Sequence, residues 1–317
     1  MLARIKSACP FWAKSFHWMI KRTLYFGNPA YLSLRLKQLV FKKPDEESET
    51  KTVPIEDIGI VVLDHQQITI TQALMAALLE NNCAVVTCDA KHLPTGLFLP
   101  LCAHTLQNER FRQQLDASLP LKKQLWQQTI EAKIRNQAAI LQYASGSRHN
   151  NMWIWSNEVK SGDSENMEAR AAAYYWKNLF PENPCFVRGQ DEGGPNILLN
   201  YGYAIVRAIT ARALVGSGLL PTLGIHHHNR YDAYCLADDI MEPYRPYVDK
   251  LVFDMTRQGF WDLDKEAKSK LLSLPVEEVL IDGQRRPLML AVSQTTASLV
   301  KCFSGEIRKL VYPAISD

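Results

Sequence analysis

The spacing of the apolar residues changes once along this chain, near residue 100, and that change limits the folds open to it. Before it, short apolar runs alternate with polar residues or sit between turn formers, the two-residue rhythm of strands. "LYF" precedes a Gly-Asn-Pro turn, and "AYLSLRLKQLVF" alternates for most of its length. "TVPIEDIGIVVLDH" reads as one strand with a proline near its start, where a missing N–H is tolerated. "CAVVTCD" reads as a short buried strand, and "KHLPTGLFLP" as a Pro/Gly-punctuated connection. One stretch breaks the rhythm: "TITQALMAALLENN" has helical spacing, with Thr71 as its N-cap and the Asn pair as its stop.

After residue 100 the helical period takes over. "LQNERFRQQLDASL", "PLKKQLWQQTIEAKIRNQAAILQYA", "SENMEARAAAYYWKNLF", "PNILLNYGYAIVRAITARALVGSG", "YVDKLVFDMTRQG" and "LDKEAKSKLLSL" carry it in turn. The expected architecture is α+β: a small β-rich N-terminal domain over residues 19–100, then a larger all-α C-terminal domain over residues 101–317. Residues 1–18 read as a non-native or disordered extension, because "MIKRTLYFGNPAYLSL" from Met19 has the character of a natural start.

With 317 residues and 47% apolar content, the chain can bury a substantial core, which excludes global disorder. The net charge is only +3, yet residues 1–44 carry nine Lys/Arg and no acid, and residues 44–50 are sharply acidic. A local basic face of this kind can attract nucleic acid. Seven cysteines, an odd number without any CxxC pair, fit free thiols in a reducing cytoplasm better than disulfides or structural zinc. The best membrane-span candidate, "YAIVRAITARALVGSGLL", is interrupted by Arg207 and Arg212, so no membrane is expected.

The segment richest in chemistry is "GIHHHNRYDAYCLADDIMEPYRP", residues 224–246. On a helix, Asp238 and Asp239 each share a face with Glu242, and Pro243 stops or kinks the turn that carries it. Neutral imidazole suits Mn2+ and Zn2+, and carboxylates suit Mg2+ and Mn2+. The same residues also fit a solvated loop followed by an ordinary helix with acids at its positive end. Glu168 in "NMEARAAAYYW" is a second candidate: the alanines after Arg170 let that helix pack closely and could hold the acid near the interior, while the segment alone fits a surface residue of a helix's first turn better.

Six pieces in one order carry a resemblance: "TLYFGNPAYLSL", "VPIEDIGIVVLD", "NCAVVTCD", "NMEARAAAYYW", "LNYGYAIVRA" and "LGIHHHN" with "LADDIMEPYRP". In these the chain resembles the Cas1 family of CRISPR-associated integrases over nearly everything after Met19, and is most similar to the versions of type II systems, subtype C. The resemblance implies a divalent metal, Mg2+ or Mn2+, held by a glutamate of an early core helix, a histidine and a later acid. These fall on Glu168, on His227 at the family's separation of fifteen residues, and on Glu242. Asp239 takes the accessory position, orienting a ligand or binding through water.

The implied reaction is transesterification, in which the 3′-hydroxyl of a captured DNA fragment attacks a phosphodiester of the CRISPR repeat. The implied partners are double-stranded DNA, a second copy of the chain, and the small Cas2 subunit in a heterohexameric complex, with the type II effector nuclease as a further one. The implied location is a prokaryotic cytoplasm. Arg245, Arg170, Lys160, Arg207, Lys122 and Lys123 are the candidate phosphate contacts, with Lys133 and Arg135 in the same basic helical region. Trp153 and Trp155 read as core, and Tyr201 and Tyr203 as helix-packing residues rather than nucleophiles. Two other functions fit the residues: a metal-dependent DNA repair nuclease, and a catalytically silent DNA-binding scaffold.

Overall fold

The computed structural model describes residues 21–44, 50–183, 186–189 and 193–315. The expected extension at residues 1–18, most of the acidic 44–50 stretch, parts of the Gly/Pro-rich loop at 181–195, and Cys9 and Cys185 lie outside the described residues. The first part of the chain runs β1 (Arg22–Phe26), β2 (Ala30–Arg35), β3 (Gln38–Lys42), β4 (Lys51–Pro54), β5 (Ile58–Leu63), β6 (Ile68–Ile70), α1 (Gln72–Glu80), β7 (Ala84–Cys88) and β8 (Pro94–Phe98).

These strands form two sheets, ordered β1-β5-β7-β8 and β4-β3-β2-β6. The alternating "AYLSLRLKQLVF" run is a hairpin, folded at Leu36 and Lys37, which both take left-handed φ. The run expected as one strand around Pro54 is also two, separated by a 3-10 turn at Ile55–Asp57. Pro54 ends β4 in the second sheet, and β5 then enters the first. "PTGLF" is strand β8 rather than a connection; it pairs antiparallel with β7. Thr71 caps α1 as expected, its hydroxyl accepting the Leu74 N–H.

β1, β5 and β7 are mutually parallel. Their continuous Ile/Val runs make sense because both faces are covered. Val61 and Val85 pack with Leu74 and Leu78 of α1. Ile60, Val62, Ala84 and Val86 turn the other way, into the core formed by the helices.

The rest of the chain is mostly helical: α2 (Gln107–Leu115), α3 (Leu119–Ser145), α4 (Asn150–Glu158), α5 (Met167–Leu179), α6 (Pro195–Gly216), α7 (Cys235–Met241), α8 (Arg245–Arg257), α9 (Lys265–Leu271), β9 (Glu278–Ile281), β10 (Gln284–Pro287), α10 (Leu288–Phe303) and β11 (Pro313–Ala314). α6 is buried on nearly every side. Gly202 lets α8 close upon it, since a Cβ there would stand 2.4 Å from Val248 Cγ1.

The expectation of an all-α second part is corrected by a small antiparallel sheet, β10-β9-β11. Its hairpin turns at Asp282-Gly283, both at positive φ, the pair of conformations a two-residue strand-matching turn requires. Among the described residues no helix is long and apolar enough to cross a membrane.

Candidate metal centre

Glu168 stands in the first turn of α5. Its position is set just upstream, where the Asp163 carboxylate accepts the N–H groups of Met167 (2.8 Å) and Glu168 (3.0 Å). That satisfies donors which a helix start leaves without partners. The Glu168 carboxylate then reaches α3, with Oε1 2.6 Å from Lys133 Nζ.

Glu242 arrives from the other side. Pro243 interrupts the helical path after α7, and Glu242–Tyr244 form one 3-10 turn before α8 begins. α3 pins that turn: the Asn136 amide donates to the carbonyls of Pro243 (2.8 Å) and Pro313 (3.1 Å) and accepts from Ile315 N–H. Glu242 Oε2 lies 2.6 Å from Lys133 Nζ, and Oε1 lies 3.1 Å from Arg245 Nη2. The Arg245 guanidinium rests 5.1 Å from the centre of the Tyr203 ring. Tyr203 and Tyr175 both donate to the buried Asp249, at 2.5 and 3.0 Å. Burial pushes Asp249 up to about 7, against the pull of those two hydrogen bonds.

The three histidines divide into separate roles. His226 stacks parallel on Trp126 at 4.1 Å between ring centroids. His227 presents Nδ1 to Asp239 Oδ1 at 2.5 Å, and Asp239 also accepts the backbone N–H groups of His226 (2.9 Å) and His227 (3.3 Å). A carboxylate only accepts, so His227 donates from Nδ1, which in the neutral ring leaves the lone pair on Nε2. His228 is exposed. Gly224 makes this loop possible, because a Cβ there would meet the His227 carbonyl at 2.3 Å and Asp239 Oδ2 at 2.8 Å.

Burial alone would raise the Glu242 carboxyl, but Arg245 and Lys133 beside it hold it below the ordinary carboxylate value. For Lys133 burial presses downward, and Glu242 and Glu168 outweigh it, so the ammonium keeps its proton. His227 is raised chiefly by its bond to Asp239. Side-chain exposure is graded, with Glu242 at 4%, Glu168 at 24% and His227 at 44%. Exposure therefore rises from Glu242 through Glu168 to His227.

Two observations bear on a cation. A buried ammonium already joins the two carboxylates, and Glu242 Oε2 makes no hydrogen bond of good geometry despite that short approach. One imidazole and two carboxylates suit Mg2+ or Mn2+ by donor type. As the side chains stand, no three His, Cys, Asp or Glu groups among the described residues close into a ready cage. Lys133 sits between Glu168 and Glu242, and His227 is turned to Asp239. By donor type the residues fit a divalent ion, with the Lys133 ammonium standing between two of them.

The basic residues fall in different places. Lys122 lines a cleft with His227, His228 and Arg230. Arg207 forks onto Asp238 at 2.6 and 2.8 Å, and burial lifts that carboxyl to about 6 against the arginine's pull. Arg170 covers the Trp155 ring at 4.4 Å, Lys160 pairs with Glu165, and Lys123 is exposed beside Gly162. Lys133, expected with Lys122, Lys123 and Arg135 in a basic helical region that contacts phosphate, is instead buried at the site. Helical spacing carried that signal: Trp126, Ile130, Lys133 and Gln137 share one face, and all are buried. The roles of Asp163 and Asn136 have no comparable mark in the sequence.

Comparisons with known proteins place this chain in a family. The family model described as "CRISPR associated protein Cas1" matches residues 24–278. The CRISPR-associated endonuclease Cas1 of Neisseria meningitidis serogroup C is 36% identical over 283 residues, covering 88% of this chain and 91% of that protein. Among solved structures, a casposase bound to integration product superposes with a TM-score of 0.76 at 20% identity, covering 91% of this chain and 92% of that one. A Cas6-RT-Cas1–Cas2 complex gives 0.72 at 21% identity over 92% of this chain and 36% of that one.

Proposed function

The chain belongs to the Cas1 family of CRISPR-associated proteins, and from that premise we infer that it is a DNA endonuclease and integrase of CRISPR adaptation. One observation carries the activity to particular residues: carboxylates from two separate elements, Glu168 and Glu242, converge on a single ammonium, with His227 held beside them by Asp239.

Glu168, His227 and Glu242 would hold Mg2+ or Mn2+, which when bound polarises a phosphoryl oxygen and eases proton loss from an attacking hydroxyl. The chain's own residues do the rest. Asp239 fixes the His227 ring and its tautomer. Arg245, steadied on Tyr203, supplies positive charge beside Glu242. Lys122 and His228, which line the same cleft as His227, would meet the approaching backbone. Lys123 is exposed and adds a further phosphate contact, whereas Lys160, Arg170 and Arg207 would have to leave Glu165, the Trp155 ring and Asp238 to do so; contacts of this kind are tolerant of sequence, as captured fragments require.

The reaction is transesterification. The 3′-hydroxyl oxygen of the fragment bonds to a repeat phosphorus, and the repeat strand's own 3′ oxygen leaves with a proton. No protein nucleophile is needed, and Tyr201 and Tyr203 are buried in the core.

The assembly follows from the same premise. The β-rich part, residues 19–100, forms the homodimer surface, with exposed Tyr31, Leu36 and Phe98 among its residues. A Cas2 subunit completes a heterohexamer on double-stranded DNA; the Cas1–Cas2 complex found among structures of the same fold supports that pairing. The type II, subtype C version of the system, its effector nuclease as partner and a prokaryotic cytoplasm complete the reading.

The test is strand transfer. The purified chain, with and without Cas2, is given short duplexes with free 3′-hydroxyls and a plasmid bearing repeats. Joined product dependent on Mg2+ or Mn2+ is expected. Cleavage without joining would favour a repair nuclease, and DNA binding alone a scaffold.

A further inference from the structure

Lys133 is a buried cation in the centre that is neither a metal donor nor an exposed phosphate contact. Its ammonium lies 2.6 Å from Glu168 Oε1 and 2.6 Å from Glu242 Oε2. Toward Glu168 it makes a hydrogen bond, but Glu242 Oε2 has none of good geometry. Arg245 cannot take over this place, because it approaches the other oxygen of Glu242.

We propose that Lys133 is a displaceable counter-cation: it holds Glu168 and Glu242 together in the metal-free chain and leaves the gap when a divalent ion binds there. This rests on the reading of Glu168 and Glu242 as metal ligands.

The physical case has three parts. Two carboxylates brought together, one of them almost fully buried, repel each other and cost folding free energy unless a cation stands between them. An ammonium and a divalent ion cannot share the space between the same two oxygens, since like charges about 4 Å apart repel strongly even at intermediate dielectric. Lysine, finally, carries its charge on a flexible four-carbon stem that can swing aside, unlike the rigid fork of arginine. The consequence is a site folded and soluble without metal, at the expense of metal affinity.

The test uses the full chain with Mn2+ alone as probe, followed by calorimetric titration and by thermal melting in chelator and in Mn2+. Lys133→Met should bind Mn2+ roughly tenfold or more tighter than wild type, by loss of one competing positive charge. It should melt below wild type in chelator, and Mn2+ should close that gap. Lys133→Gln, which keeps a polar donor, should shift both readouts the same way and serves if the methionine variant does not fold. Lys133→Arg keeps the charge on a fork that cannot retreat, and should bind Mn2+ more weakly than wild type.

Unchanged or weaker Mn2+ binding by both neutral variants would overturn the proposal, as would a melting deficit that Mn2+ does not restore. Arginine binding as tightly as lysine would overturn displacement. Glu168→Gln separates this from the parent reading: if it binds Mn2+ like wild type, the metal site itself is misassigned.

Discussion

Replacing Asp239 by asparagine asks most of the site with the least change of shape. The Asp239 side chain is fully buried and accepts three bonds: His226 N–H at 2.9 Å, His227 N–H at 3.3 Å and His227 Nδ1 at 2.5 Å. An amide keeps one acceptor oxygen and turns the other into a donor. If the NH2 group faces the backbone, it meets the N–H of His226, and two donors oppose each other. If it faces the ring, it donates to Nδ1 and moves the imidazole proton to Nε2, removing the lone pair offered to the metal. Either orientation loses at least one hydrogen bond to a charged group, costing about 2 kcal/mol of stability. Loss of a ligand's orienting partner typically weakens metal affinity or activity by about 10–100-fold. Mn2+ calorimetry and single-turnover strand transfer read those losses directly, and thermal melting reads the first. An Asp239→Asn protein within about twofold of wild type in both metal affinity and joining would refute the orienting role, since the tautomer argument predicts at least about tenfold.

Three further outcomes follow from the geometry. His227→Ala should lower strand transfer far more than His226→Ala or His228→Ala, while His226→Ala should lower stability by about 1 kcal/mol through the lost stack on Trp126; equal joining losses at all three would mean that the ligand is misplaced. Asp249 has its native value raised from 3.8 to about 7, so the native state keeps a proton that the unfolded chain releases, and stability should fall as pH rises from about 4 to 7. Asp249→Asn should flatten that slope in melts across the window, and an unchanged slope would exclude Asp249 as its source. Asn136→Ala should lower the urea-unfolding free energy by about 3 kcal/mol, leaving the carbonyls of Pro243 and Pro313 and the N–H of Ile315 without their partner; a loss below about 1 kcal/mol would show that the Glu242 turn does not depend on this latch.

Much of the fold is legible where local chemistry and tertiary packing agree. Thr71 caps α1 as its spacing predicts, and α6 follows the helical run almost residue for residue. Misreadings occur where one apolar run serves two partners. The residues around Pro54 feed two different sheets, and their hydrophobic pattern does not mark the crossing. The Asp282-Gly283 hairpin had a recognised local signal, submerged in a region otherwise read as helical. At the site, His227, Asp239 and Glu242 lie close enough in sequence for their spacing to suggest a joint role. Lys133 does not, because its meaning depends on which residues face it from α5 and from the turn that follows α7, and only the assembled core determines that. Its place on the Trp126–Ile130 face was visible; that two glutamates meet it there was not.

The central claim is that Glu168 and Glu242 form one catalytic metal site. Single-turnover strand transfer by wild type, Glu168→Ala and Glu242→Ala tests it most directly, across a series of Mn2+ concentrations and with DNA binding measured in parallel. The account predicts metal-dependent joining by wild type and loss of joining in both variants at every metal concentration, with DNA still bound. Joining at the wild-type rate by either variant would contradict it.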